Sequence, residues 1–289
     1  MAILSPLLPR IGTPLRSQLD APAPLRLWHL TSLDAPTVAV TWTLALAWSA
    51  HVRLPVWLPI VLGFAAWSFY IADRLFDARH ARTPLRARHH FHWQYRRIFV
   101  PLTVVAAVIA IVLVLHSMPL TARARNSVLA AAALAYFTSV HVPWRPKIYK
   151  LPFAIPKELL VAVIFTLACA IPTWARAGAN HLSLLAPILV FVALAWLNCY
   201  AIEVWESQFC SPGHATFRLA LALTGIAVFT AIIAAALHQN RQAALLAAAA
   251  LSSTLLALLD WNQRRLTPLA LRCAADLVLL TPIALLALS

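Results

Sequence analysis

Negative charge is the scarcest thing in this chain: nine Asp and Glu among 289 residues, against 23 Lys and Arg. Charged residues of both signs reach only 11%, hydrophobic residues 62%, and mean hydropathy is +0.79. That composition excludes an ordinary water-soluble domain and describes a chain whose solvent is mostly lipid. Cysteine is sparse as well. Cys169, Cys199, Cys210 and Cys273 have no paired spacing, so no disulfide framework or zinc motif is readable and core packing is their expected role. The apolar runs lack the alternating period of a transmembrane barrel wall, which excludes that class too. Residues 1–30 hold Pro6, Pro9, Pro14, Pro22 and Pro24 and no unbroken apolar run, unlike a cleavable signal peptide. They read as a loose cytoplasmic N-terminal arm, with Leu25 to Leu30 at the membrane interface.

What the chain does have is a succession of apolar runs. A span needs roughly 20 apolar residues to cross about 30 Å of hydrocarbon, and nine candidates follow one another: Ala35 to Ala50, Leu54 to Ala72, Ile98 to Leu115, Asn126 to Val140, Phe153 to Trp174, Leu182 to Ile202, Phe217 to Leu237, Ala243 to Leu259 and Pro268 to Leu288. The first and fourth are the shortest. With brief connections throughout, the expected fold is all-α: a polytopic integral membrane protein of about nine transmembrane helices, forming one domain over 31–289.

Basic residues then set the orientation. Nine spans place the N-terminal segment and the loops after the even-numbered spans on one side, with every Lys and Arg except Arg53, Arg123, Arg125, Arg176 and Arg241. The positive-inside rule assigns the rich side to the cytoplasm, so the N-terminus is expected inside and the C-terminus on the opposite side. The formal charge of +14 is then a matter of topology and of anionic lipid headgroups; no nucleic-acid partner is implied.

All nine acids fall on that same side, and four form two close pairs. Asp73 and Asp77, four residues apart in WSFYIADRLFDAR, share a helix face at the end of the second span. Glu203 and Glu206, three apart in WLNCYAIEVWESQ, end the sixth. A carboxylate beside hydrocarbon is costly enough to suggest a function, and two pairs at one depth are candidate catalytic and metal-ligating residues for Mg²⁺, which takes oxygen ligands. The segment from His141 to Glu158 adds Arg145, Lys147, Lys150 and Lys157, cations able to neutralise a diphosphate, on a rim stiffened by Pro143, Pro146, Pro152 and Pro156.

These features resemble the UbiA-type intramembrane prenyltransferase superfamily, nine-helix proteins that move an isoprenoid group from its diphosphate to an acceptor. Asp73-Arg74-Leu75-Phe76-Asp77 is similar to the latter half of the family's first aspartate-rich motif, N-D-x-x-D-R-x-x-D, and Glu203 with Glu206 occupies the place of the second. Lys150 followed by Pro156, and Ile171-Pro172, resemble the family's basic loop and the proline near the far end of its fifth helix. Phe69 and Tyr70 stand where the first motif has Asn and Asp. The resemblance implies a Mg²⁺-assisted transferase acting on an isoprenoid diphosphate and an aromatic or lipid-like acceptor, with Asp73, Asp77, Glu203 and Glu206 holding the ion. It also implies substrate contacts from Arg74, Lys147, Lys150 and Lys157 at the diphosphate and from Tyr70, Tyr136, Asn198 and Tyr200 in the cavity. Donor length, acceptor and oligomeric state have no signal in the sequence.

Two other readings stand beside it. One is a non-catalytic isoprenoid-binding or assembly protein. The other, suggested by His80, His89, His90 and His92, is a metal-dependent membrane oxidase. Near the C-terminus, Asp260 with Arg264 and Arg272 with Asp276 are expected to pair across one helical turn.

Overall fold

The computed structural model describes residues 19–80, 87–141, 156–206 and 214–287. Among them the long elements are all helical, and the only extended pairing is an isolated bridge between Leu19 and Leu266. The helices are α1 (Ala23–Leu30), α2 (Asp34–Ser49), α3 (Trp57–His80), α4 (Ala87–Gln94), α5 (Arg96–Ser117), α6 (Leu120–His141), α7 (Lys157–Trp174), α8 (Leu185–Glu206), α9 (Ala215–Ala236), α10 (Asn240–Trp261), α11 (Pro268–Leu277) and α12 (Ile283–Ala287).

Nine spans were expected; among the described residues, six helices are long and apolar enough to cross a membrane by length and composition: α3, α5, α7, α8 with the short 3-10 turn before it, α9 and α10. The other three runs are helical but differ for local reasons. Helix α2 has only 16 residues. Helix α6 carries Arg123 and Arg125 near its start. The last run is broken, because α11 passes into a 3-10 segment at Val278–Leu280 and Pro282 precedes α12; proline has no N–H for a helical ladder. Membrane integration is therefore carried by six apolar helices.

The chain has five glycines, so its tight helix ends are made by other residues. Ser32, His51 and His238 adopt left-handed φ values of 60, 55 and 59°. Each follows a helix whose last carbonyls are closed by the next two N–H groups, as where Gln239 N–H meets Ala234 O at 2.8 Å and His238 N–H meets Ala235 O at 2.9 Å. This is the Schellman arrangement, usually a glycine's place. It reverses the chain within a few residues and makes α9 and α10 a close antiparallel pair.

The core lies where α2, α7, α8, α9 and α10 converge. Trp42 of α2 is fully buried, stacks on Phe191 of α8 with ring centroids 3.8 Å apart, and donates from Nε1 to Leu279 O at 2.9 Å. Small residues let the backbones approach: Ala220 and Ala227 of α9 and Ala249, Ala250 and Ala257 of α10 are buried, and Ser253 Oγ donates to Ala220 O at 2.8 Å. Such alanine seams with hydroxyl cross-links suit helices that lipid does not squeeze together. Helix α5 is the opposite case. Ile98, Val104, Val108, Ile111, Val112 and Leu115 are exposed along it, a face matched to hydrocarbon.

The segment expected to be a loose arm is folded over its described part. Ala21 and Leu25 pack against Ala270 and Cys273 of α11, and His29 at the end of α1 is 1% exposed. The polar groups that surround His29 are the reason.

Candidate functional site

Two features bear on function: an apolar cavity and a buried polar cluster. The cavity encloses about 440 Å³ between α3, α6 and α7, with Ala39 of α2 in its wall. Its lining on α3 runs from Leu58 to Asp73, which at 1.5 Å per residue is about 22 Å of helix. Nearly every wall residue is apolar, among them Val61, Leu62, Ala66, Leu129, Ala133 and Phe165; Asn126 lies toward one end, and Tyr70, Asp73 and Tyr136 lie toward the other. Among the described residues, Asp73 is the only carboxylate in the lining. Phe137 closes the wall beside it, edge-on to Phe69 and Phe76 at 5.8 and 5.5 Å. Because α6 packs only lightly on α3 and α7, a gap is left along the bundle.

Tyr70, Asp73 and Tyr136, chosen from the sequence, thus meet on one wall. The other expected carboxylates have basic neighbours of their own. Asp77 Oδ2 lies 3.6 Å from His89 Nε2. Glu203 Oε1 lies 3.7 Å from Lys157 Nζ, whose other contact is Glu158 Oε1 at 3.6 Å. Glu206 Oε1 pairs with Arg272 Nη1. Among the described residues, the four acids do not form a group of three with ligand atoms within 4.8 Å of one another. Tyr200 stacks on Trp196 at 5.6 Å. Asn198 is buried and donates from Nδ2 to Asp276 Oδ1 at 3.4 Å. Lys147 and Lys150, with Arg145, lie outside the described residues.

The two pairs expected within single helices near the C-terminus are replaced by contacts between helices. Arg272 reaches Glu206 of α8, while Asp276 faces His29 and Asn198. Asp260 accepts from Trp205 Nε1 at 2.7 Å and Gln263 Nε2 at 3.5 Å. A one-turn spacing permits a pair, but a nearer donor across the helix interface takes precedence.

The buried cluster is the larger departure from the sequence reading. Arg74, expected at a diphosphate, is 3% exposed. Its guanidinium donates to His29 O at 3.2 Å, to Ser32 Oγ, and to Asp34 Oδ2 at 3.5 Å, and it lies 5.9 Å from the Tyr70 ring centroid. Ser32 holds a left-handed φ that costs a serine on the order of 1 kcal/mol or more, and its hydroxyl bridges Arg74 to His92 Nε2 at 3.1 Å. His92 Nδ1 meets Arg88 O at 2.8 Å. Nδ1 donates to the Arg88 carbonyl, and a neutral His92 accepts from the Ser32 hydroxyl at Nε2. The sequence signal for this cluster was an acid inside the last apolar run, Asp276, which the one-turn pairing with Arg272 had accounted for. His29, Ser32 and Asp34 carried no motif.

His92 supplies a pH prediction. Burial, and after it the facing Arg74 guanidinium, push its imidazole down to about 4, against the pull of the Arg88 carbonyl. A free imidazole titrates at about 6.5. Between about 6.5 and 4 the unfolded chain therefore binds the proton first, so stability present above that window falls as the pH is lowered through it. Melting temperatures of the detergent-solubilised chain are expected to drop from pH 7 to pH 4.5. The drop should be smaller for His92→Gln; equal slopes in the two proteins would remove His92 as the cause.

No family model, curated protein or solved structure matches this chain.

Proposed function

We propose that this chain is an intramembrane prenyltransferase, binding an isoprenoid chain in the cavity between α3, α6 and α7 and releasing it from its diphosphate at the Asp73 end. The observation that carries the reading is the cavity itself, a narrow apolar space along α3 with one carboxylate in its wall. Its volume lies within the roughly 300–1,000 Å³ of small-molecule sites. An apolar chain gains from filling such a space, whereas a charged head needs the end where Asp73, Tyr70 and Tyr136 stand.

Magnesium suits that end in donor chemistry. The ion commonly takes one or two carboxylates and fills its remaining positions with phosphate oxygens and water, and Asp73 with Asp77, one turn apart, answer that demand. Glu203 and Glu206 instead enter the proposal as the partners of Lys157 and Arg272, which positions those cations at the ends of α7 and α8. When bound, the ion neutralises the departing diphosphate. The chain's own contribution is to keep water from the reactive allyl group with apolar walls and to orient the head with Asp73.

The test is Mg²⁺-dependent diphosphate release from farnesyl or geranylgeranyl diphosphate by purified protein. Asp73→Asn is expected to reduce turnover at least about 100-fold. Ala133→Trp, which fills the cavity, is expected to abolish donor binding. Turnover unaffected by both changes would remove the assigned site. A second reading has its own observation in favour: Glu203 and Glu206 are paired with Lys157 and Arg272, and Asp77 lies beside His89, as suits a protein that binds isoprenoids without turning them over. Donor binding that Ala133→Trp abolishes, with no diphosphate released by the unmodified chain, would select it.

A further inference from the structure

The geometry points to a second site, separate from the cavity: His29, Asp34 and Asp276 form a three-ligand centre for a first-row transition-metal dication. The three residues come from α1, from the start of α2 and from α11, and one donor atom of each lies within 4.8 Å of the other two. They form the only such group among the described residues. His29 Nδ1 is 2.7 Å from Asp34 Oδ2 and 3.3 Å from Asp276 Oδ2.

Two observations set this apart from an ordinary buried ion pair. First, His29 is 1% exposed, yet neither ring nitrogen has an aligned hydrogen-bond partner. The imidazole nitrogen and the two oxygens converge on a common point, the nitrogen in ion-pair contact with both carboxylates. Secondly, each carboxylate is oriented through its other oxygen: Asp34 Oδ1 accepts from Ala35 N–H at 2.9 Å and Asp276 Oδ1 from Asn198 Nδ2 at 3.4 Å. Outer partners of this kind fix metal ligands. Arg74 holds the His29 backbone through its carbonyl.

Charge and spacing agree. Two carboxylates face each other with Arg74 as the fixed cation beside them, so one further positive charge is needed, from a proton on His29 or from a bound ion, because an unbalanced charge is expensive in a buried setting. A dication supplies it and leaves room for an anionic or water ligand in a fourth position. Ligands about 2.0–2.2 Å from a tetrahedral ion sit roughly 3.3–3.6 Å apart; the Asp276 contact already matches, and the Asp34 contact need open by only about half an ångström. One imidazole with two carboxylates suits Zn²⁺, Mn²⁺ or Fe²⁺. The side chain of Asp276, 18% exposed, leaves a way in. Such an ion would tie the N-terminal and C-terminal helices to α2, behind the Tyr70 wall of the cavity.

The experiment uses the full chain in detergent, stripped with chelator and titrated with Zn²⁺ alone or Mn²⁺ alone. One ion per chain is expected. His29→Ala and Asp276→Asn should each weaken binding on the order of 100-fold, whereas His90→Ala and His116→Ala should leave it unchanged. Because the first two variants risk misfolding, the wild-type chain loaded with Mn²⁺ supplies an independent readout: pulsed electron paramagnetic resonance should show a directly bound imidazole nitrogen, still present in His89→Ala. Failure of the wild-type chain to take up either ion, uptake undiminished in both ligand variants, or a spectrum without nitrogen coupling would each overturn the site. Since none of these measurements involves an isoprenoid, their failure leaves the prenyltransferase reading to its own test.

Discussion

Arg74→Ala is expected to destabilise the protein by about 3–5 kcal/mol, the usual cost of deleting one partner of a buried ion pair. The side chain is 3% exposed and serves three groups at once, the His29 carbonyl, the Ser32 hydroxyl and the Asp34 carboxylate. Its removal leaves Asp34 with less compensating charge and releases Ser32 from one of the two contacts that hold its left-handed backbone. Arg74→Lys should recover only part of the loss, because a single ammonium cannot span three acceptors set for a planar guanidinium. Chemical denaturation in detergent, read by circular dichroism, is the measurement. An Arg74→Ala protein within about 1 kcal/mol of wild type, but with poor donor binding, would return the residue to the substrate-binding role expected from its place beside Asp73.

Trp42→Ala should be of similar size, about 3–5 kcal/mol, the range for truncating a buried aromatic. Trp42 is fully buried, its ring lies flat on Phe191, and its Nε1 donates to Leu279 O, where the last helical run is broken. The substitution therefore opens a cavity between α2 and α8 and frees the 3-10 segment that joins α11 to α12. Trp42→Phe separates the two contributions: it keeps most of the stack and loses the hydrogen bond, a cost of about 1 kcal/mol. Equal losses for Ala and Phe would mean that the hydrogen bond, and not the packing, holds this end of the bundle.

These two residues also show how far the sequence could be read. The apolar runs located every long helix, because in lipid a backbone has few ways to satisfy its own polar groups. Nine spans were expected against six helices long and apolar enough among the described residues, and the difference sits in particular places: the shortness of α2, the two arginines in α6 and the break before α12. For the candidate site, Asp73, Tyr70 and Tyr136 were identifiable because a polar residue near hydrocarbon stands out against its neighbours. The buried partners of Arg74 could not be read, since a spacing pattern identifies a helix face but not the helix packed against it. Asp276 was assigned to Arg272 at one turn, yet each side chain turned to a different helix.

Composition and the succession of apolar runs by themselves determined that this is a helical membrane protein, because that property follows from the free energy of each segment in lipid or water. The tertiary structure alone decided that residues 29, 34, 74 and 276 share one buried cluster. That outcome depends on how α1, α2, α3 and α11 pack, and the energy of a buried charge is set by the few atoms around it, which no local stretch of sequence contains.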